Sequence, residues 1–236
     1  MTRARIIGVG AYAPKRVLTN ADLEKLVDTS DEWIVQRTGI RERRIADDSE
    51  ATSDLAVKAA QQALERANLV PEDIEFIAVG TTTPDMIFPS VGNIVQHRLG
   101  CRRAGSVDLL AACAGSVYSL ATGAQFVQTG KYRRVLCIGA ETLSKITDFT
   151  DRGTCILLAD AAGAAVLEAT DEDRGIIDVD LYSDGSTGSC CTSRPAARVT
   201  RPLTTRSTSG CTTRRCGAAT SSRWPCGCSR SPPSAS

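Results

Sequence analysis

Hydrophobic periodicity runs through the first 188 residues of this chain and then stops, and no other feature limits the possible fold as strongly. Up to that point strand and helix signals alternate. Residues 6–12 read as a strand; Asn20 is expected to cap a short helix through Val27, and Ser30 a second through Thr38 with Gly39 as its stop. A longer helix opens at Thr52 or Ser53 and places Leu55, Ala59, Ala63, Leu64 and Ala67 on one face. Residues 76–80, 106–112, 134–140, 164–168 and 176–183 read as further strands, and 90–99 as a helix. Such alternation predicts an α/β fold, helices layered on a mainly parallel sheet.

The apolar run 106–112 ends in small residues and meets Cys113, after which Val117, Leu120, Ala121, Ala124 and Val127 recur at helical spacing. That order puts a thiol at a helix N-terminus, where unpaired N–H groups and the positive end of the dipole favour the thiolate. Small neighbours leave room for a substrate. Position alone favours an inert core thiol, because free cysteine is among the most buried residue types.

The two parts of the chain differ in charge. Residues 1–188 hold 20 basic and 27 acidic side chains, a net of −7, which gives no reason to expect a nucleic-acid partner. The N-terminus offers only a short apolar run before Pro14, so neither a signal peptide nor a membrane span is expected, and the reading is cytoplasmic. Cys101, Cys113, Cys137 and Cys155 are scattered singly, as reduced thiols would be. No metal site is expected.

Gly8-Val9-Gly10-Ala11-Tyr12-Ala13 fits the loose dinucleotide pattern, but that pattern needs a helix to start at once. Pro14, Lys15 and Arg16 lead into a loop instead, and the dinucleotide reading is rejected.

Three segments carry a resemblance: Asp31 to Arg43 (DEWIVQRTGIRER), Leu110 to Gly115 (LAACAG), and Thr150 to Thr154 (TDRGT) followed by Asp160 to Ala164 (DAAGA). Together, and in this order, they resemble β-ketoacyl-acyl carrier protein synthase III, the family of thiolase-fold condensing enzymes that start type II fatty acid synthesis. The match runs from Ile6 to about Gly188. It implies a thiolase-like fold of which this chain holds the N-terminal half: residues 1–170 carrying the nucleophile and 171–188 beginning the second half.

The resemblance further implies that Cys113 takes an acyl group from an acyl-coenzyme A, which is a substrate, so that no cofactor is needed. Decarboxylative condensation with malonyl-acyl carrier protein would follow. Trp33, Arg37, Thr38 and Arg152 match the coenzyme A site, where indole stacking and guanidinium forks suit a flat anionic nucleotide. Trp33 and Arg37 sit four apart and share a helix face; read without the motif, a core anchor and an exposed ion-pair partner fit equally well. Phe88 matches a residue that bounds the acyl pocket across a homodimer interface; packing into its own core is the plainer alternative. The family's enolate-binding histidine and asparagine have no counterpart here, and the single histidine, His97, lies off the family's position. A secondary-metabolite ketosynthase of the same fold, or a non-catalytic remnant, remain the other readings.

Residues 189–236 hold eight Arg, six Cys, no Lys, no acidic residue and, as branched aliphatics, only Val199 and Leu203. Too little is left to pack a half-domain, and the segment is expected to be disordered. Read one base earlier, the codons for residues 190–197 permit leucine-leucine-tyrosine-valine-proline-alanine-glycine-glycine, and those for 216–222 permit methionine-arginine-glycine-arginine-aspartate-valine-phenylalanine. Both stretches look like the family's continuation, so 189–236 is read as an out-of-frame tail and the chain as written is expected to be inactive. A zinc- or nucleic-acid-binding tail fits less well, because regular C-x2-C pairs and tail histidines are missing.

Overall fold

A computed structural model describes residues 2–183. The expected out-of-frame tail, 189–236, lies outside the described residues. Five strands form one sheet in the order β1-β7-β6-β4-β5: β1 Arg3–Tyr12, β4 Phe76–Gly80, β5 Gly105–Leu109, β6 Arg134–Thr142 and β7 Asp160–Thr170. β4 runs parallel to both β5 and β6, while β7 runs antiparallel to both β1 and β6. The sheet is therefore mixed, parallel on the β6-β4-β5 side that leads to Cys113. Two short charged strands, β2 (Arg16–Thr19) and β3 (Glu42–Ile45), pair separately as an antiparallel ribbon.

Helix α3 (Thr52–Ala67) and helix α4 (Val91–Leu99) pack on one face of the sheet, and α5 (Gly115–Gln128) on the other. Leu55, Ala59, Ala63 and Leu64 of α3 are buried against Ile77, Val79, Leu136 and Ile138, as the helical spacing predicts. On the opposite face Ala124 and Val127 of α5 join Val135, Cys137 and Leu167, closed off by the ring cluster of Phe76, Phe126 and Tyr132. Gly8 and Gly10 explain themselves here. A Cβ on either would run into the backbone of α3, at Ala63 and Ala59 respectively, so these glycines let helix and strand touch.

Three expectations need correction. Asn20 is not the cap of α1 (Asn20–Leu23); Thr19 is, in a capping box with Asp22, and Asn20 is buried one position inside. Residues 176–183 form no strand, because the only backbone bond they send to the sheet is from Ile176 N–H to the Ala4 carbonyl, 2.8 Å, and Ile177 is exposed. The strand before Cys113 stops at Leu109, since Ala112–Ala114 tighten into a 3-10 turn before α5 begins at Gly115. By contrast α2 (Asp31–Thr38) has the predicted ends: Ser30 accepts from the Trp33 N–H, and Gly39 closes it at φ 75°. No helix among the described residues is long and apolar enough to cross a membrane.

Candidate active site

Cys113 sits in the 3-10 turn on the floor of an open cavity of about 500 Å³. Its place depends on glycines. Gly80 ends β4 against Gly115, the first residue of α5, and a Cβ built on Gly115 would lie 3.1 Å from the Gly80 Cα. Gly139 in β6 similarly admits Ser116, whose Cβ would be 2.8 Å from an added methyl. The start of α5 is thus pressed onto the ends of two parallel strands. Ala112, just before the cysteine, has φ 46°, a left-handed conformation that non-glycine residues seldom adopt and that costs on the order of 1–3 kcal/mol. This kink separates the end of β5 from the helix and leaves Cys113 exposed.

The other three described cysteines are buried. Burial pushes the Cys137 thiol up to about 12, and burial with the nearby Glu72 carboxylate pushes Cys101 up to about 11. Burial also raises Cys155, with Asp151 adding to it. The Cys137 thiol, which lines the same cavity, donates to the Ser119 carbonyl at 3.3 Å. A thiolate is disfavoured at all three positions at neutral pH.

Sequence reasoning missed Glu141, also on the cavity wall. Its carboxylate accepts from the Thr82 N–H at 2.7 Å, the Thr82 hydroxyl at 3.0 Å and the Thr83 hydroxyl, pinning the loop after β4 to the end of β6. The signal was present in the Thr81-Thr82-Thr83 run, hydroxyls placed where one strand end faces another.

The residues matched to a coenzyme A site come together elsewhere. Arg37 and Arg152 each place their guanidinium carbon 4.6 Å from the Trp33 ring centroid. Arg152 opens helix α6 (Arg152–Cys155) and donates to the Asp28 carbonyl at 3.0 Å. Thr38 is adjacent in sequence, but its hydroxyl is used locally: it donates to the Ile34 carbonyl at 2.8 Å and accepts from the Ile40 N–H at 3.0 Å. None of these four residues lines the Cys113 cavity. Phe88 lies apart in the loop between β4 and α4, 84% exposed, with Ile87 beside it 93% exposed, so it does not pack into the core of the described residues.

Comparison with known proteins gives a consistent result. Residues 107–185 match the family model described as 3-oxoacyl-[acyl-carrier-protein (ACP)] synthase III. The β-ketoacyl-[acyl-carrier-protein] synthase III of Caldanaerobacter subterraneus subsp. tengcongensis is 57% identical over 185 residues, 78% of this chain and 56% of that protein. The crystal structure of 3-oxoacyl-[acyl-carrier-protein] synthase III from Aquifex aeolicus superposes with a TM-score of 0.76 at 47% identity, over 78% of this chain and 59% of that one. The priming β-ketosynthase of the R1128 polyketide pathway follows at TM-score 0.70 and 38% identity, over 72% of this chain and 51% of that one. The chain spans a little over half the length of the synthase III relatives it matches. In sequence and in fold the matched residues belong to the 3-oxoacyl-[acyl-carrier-protein] synthase III family, and they form its N-terminal part.

Proposed function

We propose that the protein to which these residues belong is the initiating condensing enzyme of type II fatty acid synthesis, with Cys113 as acyl acceptor. The observation that carries this reading is an exposed thiol at the mouth of α5, in a cavity where the other thiol is buried and protonated. Cys113 sulfur attacks the thioester carbonyl of an acyl-coenzyme A, the carbon–sulfur bond to coenzyme A breaks, and the coenzyme leaves as its thiol once protonated. The Cys113 backbone N–H lies at the turn where it would face the carbonyl oxygen as charge develops there. Malonyl-acyl carrier protein then loses carbon dioxide, and its α-carbon attacks the acyl-cysteine to release a 3-oxoacyl product. The enzyme would be cytoplasmic and dimeric, with exposed Ile87 and Phe88 reaching to the partner's acyl pocket.

Trp33, Arg37 and Arg152 would hold the adenine nucleotide. An adenine between the indole and Arg152 needs two stacking gaps of about 3.5 Å each, wider than the observed 4.6 Å. Arg152 must therefore withdraw on binding, giving up its contact with the indole face and its hydrogen bond to the Asp28 carbonyl. The test is Trp33→Ala in the protein with its reading frame restored. Because the stack is remote from the reacting carbon, KM for acetyl-coenzyme A should rise about tenfold while kcat changes little. An equal loss in kcat with KM unchanged would argue against the nucleotide role.

The likeness to the R1128 priming ketosynthase favours one alternative, a polyketide-type initiator of the same fold. Comparing straight, branched and aromatic acyl thioesters as primers separates the two.

The missing enolate-binding pair follows from the frame change. Read one base earlier from about codon 189, the gene should encode an open frame containing a histidine-alanine-asparagine-like and a later glycine-asparagine-threonine-like segment. A stop codon within a few dozen codons of that frame would sink the idea. The chain as written should then fail to condense acetyl-coenzyme A with malonyl-acyl carrier protein.

A further inference from the structure

Arg43, on β3, is one of the most buried charged side chains among the described residues, only 2% exposed, and none of the ion pairs among those residues includes it. A buried cation without a carboxylate is costly unless its donors are all used to advantage. Here they reach in two directions. Nε and Nη2 both donate to the Ile156 carbonyl, at 3.0 and 2.6 Å, and Ile156 is the C-cap of α6. Nη1 donates to the Asn20 Oδ1 at 2.5 Å. The Asn20 amide then donates to Asp31 Oδ1 at 2.6 Å, at the first residue of α2, and to the Ile40 carbonyl at 2.9 Å just beyond its end.

The two helices tied by this relay are those that supply the aromatic–guanidinium stack. α2 carries Trp33 and Arg37, and α6 carries Arg152. Beneath the stack Leu23, Ile34, Cys155 and Ile156 form a small core of their own, with Trp33 packed against it. Apolar packing holds such elements together but does not fix their spacing as sharply as directional bonds do. We propose that Arg43 is a positioning residue for the nucleotide end of the substrate, its guanidinium setting the separation of Trp33 from Arg152 by bridging the C-cap of α6 to Asn20 and α2. The proposal rests on the coenzyme A reading of that stack. Only a planar fork meets both acceptors; an ammonium in the same place has the charge without the geometry.

The test uses the full 236-residue chain carrying Trp224→Phe, which leaves Trp33 as the sole indole. Arg43→Lys and Arg43→Met are compared with the parent for three properties: acrylamide quenching of Trp33, binding of coenzyme A followed by Trp33 fluorescence, and the rate at which iodoacetamide alkylates Cys113. Both variants should quench about twice as readily and bind coenzyme A about tenfold more weakly, the scale expected when hydrogen bonds from a charged group are lost. Cys113 alkylation should not change. Parent-like behaviour of Arg43→Lys would overturn the proposal, because charge rather than the fork would then suffice. A parallel change in Cys113 alkylation would overturn it too, since the effect would be general loosening. If the parent itself does not bind coenzyme A, the nucleotide reading fails, and the quenching of Trp33 alone decides whether Arg43 positions the stack. Should the Arg43 variants not fold, Asn20→Ala cuts the same relay on the α2 side and should give the same pattern.

Discussion

Replacing Cys113 by serine in the frame-restored protein should reduce acyl transfer from acetyl-coenzyme A by roughly 10³-fold or more, because a hydroxyl in the same turn stays protonated at neutral pH and is a far weaker nucleophile. The expectation is specific to this thiol. Cys137 lines the same cavity, yet its burial pushes the thiol up to about 12 and its hydrogen is committed to the Ser119 carbonyl. Cys101 and Cys155 are buried in the apolar cores around α3 and α2. Peptide mapping after incubation with labelled acetyl-coenzyme A should accordingly find the label on Cys113 and lose it in Cys113→Ser. Label persisting on Cys137 or Cys155 in the variant would reverse the assignment of the nucleophile.

What could be read from the sequence was whatever depends on near neighbours. Ser30 and Gly39 bracket α2 because a hydroxyl and a residue free to adopt positive φ are local requirements, met within a turn. The apolar face of α3 was legible for the same reason. Sheet order was not: alternation of strand and helix says nothing about β7 inserting antiparallel between β1 and β6. The stretch 176–183 has the look of a strand, yet a strand exists only where a partner offers a ladder, and Ile176 finds a single bond to β1. The site divided in the same way. Cys113 stood out by its junction and Trp33 by its motif, whereas Arg43 meets Ile156 across 113 residues and Glu141 meets Thr82 across 59, separations that no periodicity encodes. Asn20 was misread because its side chain serves a distant partner, Arg43, while the cap one position earlier is made by Thr19.

Gly80→Ala should destabilise the chain by about 3 kcal/mol, near the upper end for forcing one extra methyl into a packed site. The methyl would collide with the Gly115 carbonyl carbon and oxygen, and backbone atoms cannot swing aside as a side chain can. Relief requires α5 to lift off the end of β4, which breaks packing between the helix and the sheet centre and moves the turn that carries Cys113. A loss of that size is a large share of the 5–15 kcal/mol that holds a typical domain together. Gly163→Ala provides the control. That residue lies in β7 on the wall of the same cavity, no described atom beyond its chain neighbours lies within 4 Å of its added methyl, and the variant's stability should stay within about 0.5 kcal/mol of the parent. Urea unfolding followed by far-ultraviolet circular dichroism reads both variants, and iodoacetamide alkylation of Cys113 below the transition reads the displacement of the turn. If the contact between Gly80 and Gly115 sets the nucleophile's position, alkylation changes in Gly80→Ala while the fold is still intact and does not change in Gly163→Ala. Equal midpoints for the two variants would mean that α5 has slack the observed spacing does not show, and that the glycines are not what places Cys113.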